Sequence, residues 1–444
     1  MSTRTRPRRT TQIFCASTLY GAVTIAAAID SGRFGPADRR ILLVTGNAPV
    51  PETTPSLDEA EGFARLRDRF DSVLSWNEVI FPLHPGGWTP RASDLPLLQR
   101  HLRRIWELGD DRVELALESI QVTPALAIAQ LLPEASITVY ADGLMSYGPT
   151  RNKIDPLIGG RVSRLLHLDL VPGLAPLLLG EFGAVPEAVP AGAFTKCVEE
   201  LAGPSPGPAP AEGPALLLGQ YLAALNLLTA AEEEELHLRM VRGAVARGHR
   251  RLVFKPHPTA PDAWSRKLVR AAEELGAELT VEDRPVLAEV LYRELRPALV
   301  VGCFSTALLT AHTFYGLPVA RVGTRPLLER LTPFQNSNRI PLTVVDAVVP
   351  PLGGTEGDGA GIGTEELNDL VAAVGFAMQP KIRPELRTAA VRHLSGPVAE
   401  RTRHHFTRRR LTALGLPGGL PLPRHPQVRR LARRALRLRR ALKR

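Results

Sequence analysis

Three short stretches of this 444-residue chain place side chains that can move a proton or hold a phosphate. In FKPHPTAPDAW (254–264), Lys255 and His257 follow the apolar run RRLVF, and Pro256 and Pro258 restrict the backbone on both sides of the histidine. An imidazole gives up a proton near neutral pH, and a neighbouring lysine attracts phosphate. In ALVVGCFSTALLTAH (298–312), Ser305 and Thr306 stand at the expected start of a helix. Unsatisfied backbone N–H groups and two hydroxyls there suit an anion. In ADGLMSYG (141–148), Asp142 follows the apolar run ITVY and sits between Ala141 and Gly143. Each stretch also has a plainer reading: a structural histidine in a proline-rich turn, an ordinary helix cap, and a turn carboxylate. No Walker A motif, GxGxxG after a first strand, HExxH or persuasive DxD motif accompanies them, so no metal ligands are expected.

The elements that must position these residues follow a repeated pattern. Strand-like runs (TQIFCAS, RRILLVT at 39–45, VLSWNEVIFPL near 73–83, VELALES at 113–119, ITVYADG at 137–143) alternate with helical periodicity. Such alternation predicts parallel sheets with crossover helices. The segment GPSPGPAPAEGP (203–214) cannot join a helix or sheet interior, and after it the α/β pattern restarts. The expected domains are therefore residues 11–202 and 215–400, joined by the linker 203–214, with a basic extension at 1–10 and a basic tail at 401–444. In open parallel sheets ligands bind beyond the carboxyl ends of the strands, where all three stretches lie.

Taken together, an acidic-Gly loop in the first domain, a KxHP loop in the second and a Ser/Thr pair some fifty residues later resemble the bacterial sialyltransferases, most closely the α-2,8-polysialyltransferase family. The resemblance implies an α/β, GT-B architecture of two Rossmann-like domains facing across a cleft. It also implies CMP-sialic acid as donor, a cell-surface glycan as acceptor, inversion by a single displacement, and no metal or other cofactor. By the same resemblance Asp142 would be the general base on the acceptor hydroxyl and His257 the general acid on the departing CMP phosphate. Ser305 and Thr306 would be the phosphate-binding hydroxyls, Lys255 the basic residue beside the HP motif, and Glu289, in RPVLAEVL, a carboxylate holding the ribose. One departure is plain: the family motif usually carries two acidic residues before its glycine, and here the first position is Ala141.

Composition narrows the alternatives. The net charge is +10, but ten of the 55 basic residues fall in 424–444, which leaves 45 basic against 45 acidic residues elsewhere. On a helical wheel Val428, Leu431, Ala435, Leu438 and Leu442 form a stripe with arginines filling the remaining arc. That pattern predicts peripheral binding to an anionic membrane surface at the inner leaflet, with no nucleic acid as partner. No uninterrupted apolar run reaches eighteen residues, so no membrane-spanning helix is expected. Cys15, Cys197 and Cys303 are far apart in the chain and read as core thiols of a cytoplasmic protein. The opening MSTRTRPRRT with the following apolar stretch imitates a secretory leader, but it reads more naturally as the first strand and helix. Two other readings stay open at this point: a CDP-glycerol or CDP-ribitol polyol phosphotransferase, and an inactive, tail-anchored interaction or nucleic-acid-binding protein.

Overall fold

A computed structural model of the protein describes residues 8–141, 143–204, 213–220, 222–257, 262–354 and 362–420. The first sheet contains β1 (Thr10–Ala16), β2 (Arg39–Val44), β3 (Ser72–Ser75), β4 (Arg112–Glu118), β5 (Ser136–Ala141), β6 (Val162–Leu168) and β7 (Val185–Val189). Its order is β3-β2-β1-β4-β5-β6-β7, and every pair is parallel. The second sheet contains β8 (Ala215–Leu218), β9 (Arg251–Lys255), β10 (Glu278–Val281), β11 (Leu299–Gly302) and β12 (Val319–Arg321), in the parallel order β10-β9-β8-β11-β12.

Burial explains why the strand sequences run apolar rather than alternating. After Thr10 every residue of β1 is buried, as is every residue of β8 and β11, because helices cover both faces of each sheet. Phe14, fully buried in β1, packs edge-on against Phe34 at 4.8 Å and against Phe70 at 5.8 Å. The run TQIFCAS followed by TLYGAVTIAAAID forms β1 and the helix Leu19–Asp30, whose N-cap Thr18 accepts from the Gly21 N–H. The stretch 73–83 differs from its expected single strand. Ser75 ends β3 and accepts from the Glu78 N–H at 3.2 Å, which turns Trp76–Ile80 into a helix.

Beyond the second sheet the chain returns to the first. Asn368, on the helix Thr364–Met378, donates to the Gly173 carbonyl at 2.8 Å and accepts from the Ala175 N–H at 3.0 Å. Gln379 donates to the Arg151 carbonyl at 2.9 Å. Residues 401–420, expected as the start of a basic tail, are instead folded onto this layer, with His405 and Leu411 buried. The remainder of that tail, 421–444, and the linker segment 205–212 lie outside the described residues.

The anchor for 401–420 is a buried ionic cluster. Asp346 accepts from Arg321 at 3.0 Å, from Thr324 at 2.6 Å and from the His404 ring at 2.7 Å. Burial alone would raise the Asp346 carboxyl, but the His404 and Thr324 bonds and the Arg321 charge outweigh it and hold it well below the usual carboxylate range. His405 lies 3.7 Å from the same carboxylate, yet burial, reinforced by His404, pushes its pKa down to about 3. His237, buried beneath Phe254 at 5.2 Å, is pushed down to about 4 by burial.

Both imidazoles are thus neutral in the folded protein, whereas in the unfolded chain they take a proton near pH 6.5. Their contribution is complete above that pH and is lost as pH falls from about 6.5 toward 4, at about 1.4 kcal/mol per pH unit for each histidine. Urea denaturation at pH 7, 6 and 5 should show the decline, and His237→Gln should shrink its slope by about one proton's worth. An unchanged slope in that variant would contradict the buried neutral state.

Candidate active site

A cavity of about 430 Å³ opens between the two sheets. From the first sheet it is lined by Glu118 and Ser119 at the end of β4, by Tyr140 and Ala141 at the end of β5, and by Gly143 and Arg151 beyond them. From the second it is lined by Gln220 after β8 and by Phe304, Ser305 and Thr306 after β11. Asp142 itself lies outside the described residues, but both of its chain neighbours face this cavity.

The Ser/Thr pair occupies a helix start. β11 is fully buried and ends at Gly302; Ser305, in extended conformation, caps the helix Thr306–Tyr315 and its Oγ accepts from the Ala307 N–H at 3.2 Å. The Phe304 N–H is held by Gln220 Oε1 at 2.9 Å, which fixes the turn before the cap. The positive end of a ten-residue helix therefore points into the cavity together with the Thr306 hydroxyl. A Cβ on Gly143 would come within 3.1 Å of Thr306 Oγ1, so the acidic-Gly loop and the Ser/Thr pair abut across the cleft.

Lys255 and His257 line a different cavity, of about 650 Å³, with Arg266 and Arg284. Lys255 Nζ donates to the Arg284 carbonyl, and burial lowers its pKa. His257 sits exposed at the rim of this cavity, with its pKa lowered by partial loss of hydration. One strand separates the two sets of residues: β8 lies between β9 and β11, and the Gly219 N–H donates to the Lys255 carbonyl at 2.9 Å while Gln220 holds Phe304. The ends of β9 and β11 are therefore two strand spacings apart, about 10 Å.

Glu289 reaches neither cavity. It is 2% exposed, its Oε1 accepts from Thr310 Oγ1 at 2.6 Å, and burial raises its pKa. Together with the bond from Tyr292 OH to the Ala307 carbonyl at 2.8 Å, it packs the helix Ala288–Leu295 against the Ser305-capped helix. The expected contact to a ribose is not available to a carboxylate placed behind that helix, and the apolar run RPVLAEVL explains why it is buried there.

Two residues of the central cavity were not singled out from sequence. Glu118 ends the run VELALES at the carboxyl edge of the sheet, a position that could have marked it. Its Oε2 accepts from Ser17 Oγ at 2.9 Å, and burial raises its pKa in spite of that bond. Arg151 is the only Lys or Arg lining this cavity among the described residues. Its guanidinium is partly buried, with a pKa lowered by burial, and it remains a cation at any working pH. No sequence pattern distinguishes it from the other arginines.

A profile of the family described as Alpha-2,8-polysialyltransferase (POLYST) matches residues 12–324. The chain belongs to that family. The match spans both sheets and all six residues proposed for the site, and the two parallel α/β domains facing across a cleft are the GT-B arrangement. No curated protein matches the chain. Among solved structures, an O-GlcNAc transferase variant from Thermobaculum terrenum is 16% identical over 89% of this chain, which covers 66% of that longer protein, with a TM-score of 0.37. MurG from Acinetobacter baumannii is 13% identical, over 89% of this chain and 97% of its own, with a TM-score of 0.38. UGT2 from Phytolacca americana, solved with UDP-2-fluoro-glucose and pterostilbene, is 12% identical over 88% and 97% respectively, with a TM-score of 0.40.

The contact between Gly143 and Thr306 yields a direct test. Gly143→Ala meets no backbone barrier, because its φ of −134° suits any residue, but its methyl presses on Thr306. Transfer should fall about tenfold or more through displacement of the Thr306 hydroxyl, while the melting temperature stays within a few degrees. Wild-type rates in Gly143→Ala would mean that the loop and the hydroxyl pair do not work together.

Proposed function

We propose that this protein is an inverting, metal-independent sialyltransferase of polysialyltransferase type, moving sialic acid or a related nonulosonate from its CMP-activated form to a cell-surface glycan. The observation that carries the reading is the meeting of the acidic-Gly loop and the Ser305–Thr306 helix start in one cavity, in a chain of the polysialyltransferase family. The donor has a phosphodiester leaving group on a carbon that also bears a carboxylate. The reaction then needs a base on one side, and neutralisation and protonation of a phosphate on the other.

The second sheet offers what the phosphate requires. Ser305, Thr306 and the helix N-terminus would hold its oxygens from one side of the β8 end, and the Lys255 and His257 side chains would reach it from the other, across strand ends roughly 10 Å apart. His257 would protonate the departing oxygen. Its pKa is lowered by burial, and an adjacent phosphate would raise it toward the range useful to an acid. From the first domain Asp142 would take the acceptor proton, and Arg151 would face the donor's carboxylate.

His257→Ala and Asp142→Ala should each lower transfer by two or more orders of magnitude with the fold intact, since each removes a proton-transfer role worth about 10² to 10⁴ in rate. A panel of CMP- and CDP-activated donors, assayed with and without EDTA, decides the donor class: turnover of CMP-sialic acid that survives EDTA is expected. Turnover of CDP-glycerol or CDP-ribitol alone would establish the polyol phosphotransferase reading instead. Full activity in either variant would remove that residue from its role.

For localisation we propose peripheral attachment at the inner membrane face through the basic tail, which would bring the cleft beside lipid-linked acceptors. Among the described residues no helix is long and apolar enough to cross a membrane. Each arginine near an anionic bilayer contributes about 1 kcal/mol, so truncation after Pro423 should abolish co-sedimentation with anionic vesicles at low salt and leave transfer to a soluble acceptor nearly unchanged. Sedimentation of the truncated protein would refute the attachment.

A further inference from the structure

The run AAEEEEL (230–236) opens the helix Ala230–Ala246, and its four glutamates take different partners. Glu232 pairs with Arg330 at 2.5 Å, Glu234 with Lys267 at 2.8 Å and Glu235 with Arg242 at 2.8 Å, each a solvent-exposed cation. Glu233 turns inward and is fully buried. Among the described residues no cation offsets its charge. Instead its Oε1 accepts from the Leu222 N–H at 2.7 Å and its Oε2 from the Ala223 N–H at 2.8 Å.

Burial raises the Glu233 pKa, and the two backbone bonds oppose it. A carboxylate kept in the interior without a counter-charge is costly, and it persists where its bonds hold the surrounding chain. Here they hold the loop after β8. The Leu227 N–H donates to the Leu222 carbonyl and the Asn226 N–H to the Ala223 carbonyl, both at 3.0 Å, so residues 222–227 close into a turn whose first two N–H groups belong to Glu233. Behind it the helix packs on β8 and β11 through buried Leu236, Met240 and Val241. The turn is thereby fixed to the body of the second domain.

That turn begins two residues after Gln220, whose Oε1 accepts from the Phe304 N–H at 2.9 Å directly before Ser305. On the other side of Gln220, the Gly219 N–H is held by the Lys255 carbonyl at 2.9 Å. Gln220 is thus fixed from both directions along the chain. We infer that Glu233 is a positioning residue of the donor site: by holding the β8 loop it sets Gln220, and through Gln220 the Ser305–Thr306 turn that faces the central cavity. Glu233 itself lines neither that cavity nor the one beside Lys255. Because it takes the N–H groups of residues 222 and 223, the β8 loop offers neither to a phosphate, which is left to the hydroxyls and the helix start after β11. The inference rests on the proposed reading of the cavity as the donor site.

The test is calorimetry of the full-length protein against CMP. Glu233→Gln keeps the shape but turns an amide NH₂ toward one of the two N–H groups, and CMP affinity should fall about tenfold. Should it not fold, Glu233→Asp, a shorter carboxylate that cannot reach both N–H groups, carries the same expectation. Gln220→Met, which removes the acceptor of the Phe304 N–H, should cause a loss of similar size. Two readouts separate positioning from a general loosening of the domain. The double variant should lose about tenfold rather than about a hundredfold, because both changes break one connection. Glu232→Gln, which weakens the cap of the same helix, should leave CMP affinity within about twofold of wild type. Unchanged affinity at position 233 or in Gln220→Met, additive losses in the double variant, or an equal loss in Glu232→Gln would each overturn the positioning role. If wild type binds no CMP, the donor reading fails and the role falls with it, whereas wild-type binding that the variants leave untouched removes the role alone.

Discussion

The site depends on one topological constraint: each parallel sheet reverses its winding once, between β1 and β4 in the first and between β8 and β11 in the second. At such a point the crossover connections leave toward opposite faces, and the carboxyl ends of two adjacent strands are left uncovered. A side-chain hydrogen bond then ties the two exposed ends together. In the first sheet it runs from Ser17 to Glu118, and in the second from the Phe304 N–H to Gln220. Each spans 2.9 Å, and each involves a residue that lines the cleft. The crevices are thus held open by groups that also present polar atoms to a ligand.

From that constraint the reach of the site follows. Strand spacing fixes the separation between the β9 and β11 loops, and no side-chain rearrangement can bring His257 onto Ser305 without breaking the order of the sheet. A ligand that uses both must lie across the end of β8, with its phosphate between the two sets of side chains. Gly219 makes the crossing passable. A Cβ there would sit 3.1 Å from the Lys255 carbonyl and 3.2 Å from Pro256 Cα, so any larger residue would push the proline-flanked loop away from the end of β8.

These relations mark the boundary of what the sequence can disclose. The runs that form β1, β2, β4, β5, β8, β9 and β11, the second α/β repeat and the three polar loops were readable, because apolar runs and their punctuation are local properties, whereas β6, β7, β10 and β12 were not picked out. The order of the strands is not local. It is the reason His257 and Ser305, which share a sheet, line separate cavities, and the reason Glu118 lies beside the acidic-Gly loop more than twenty residues away. Glu289 misled for a related cause: a carboxylate in an apolar helix looks like a ligand contact until a partner such as Thr310 is seen to satisfy it. The fold of 401–420 was hidden by composition, since its arginines read as tail while His404 and His405 insert toward Asp346.

Burial acts in one direction on the ionisable groups of the cleft. Burial lowers the pKa of His257 and of Lys255 and raises that of Glu118, so every one of these shifts favours the uncharged form. Arg151 in the central cavity and Arg266 and Arg284 in the other nevertheless keep their positive charge. An anionic donor would reverse the balance on the second sheet, because a nearby phosphate favours the protonated histidine and lysine. On the proposed reading donor binding would generate the acid, because the phosphate that has to depart is also the charge that favours protonated His257.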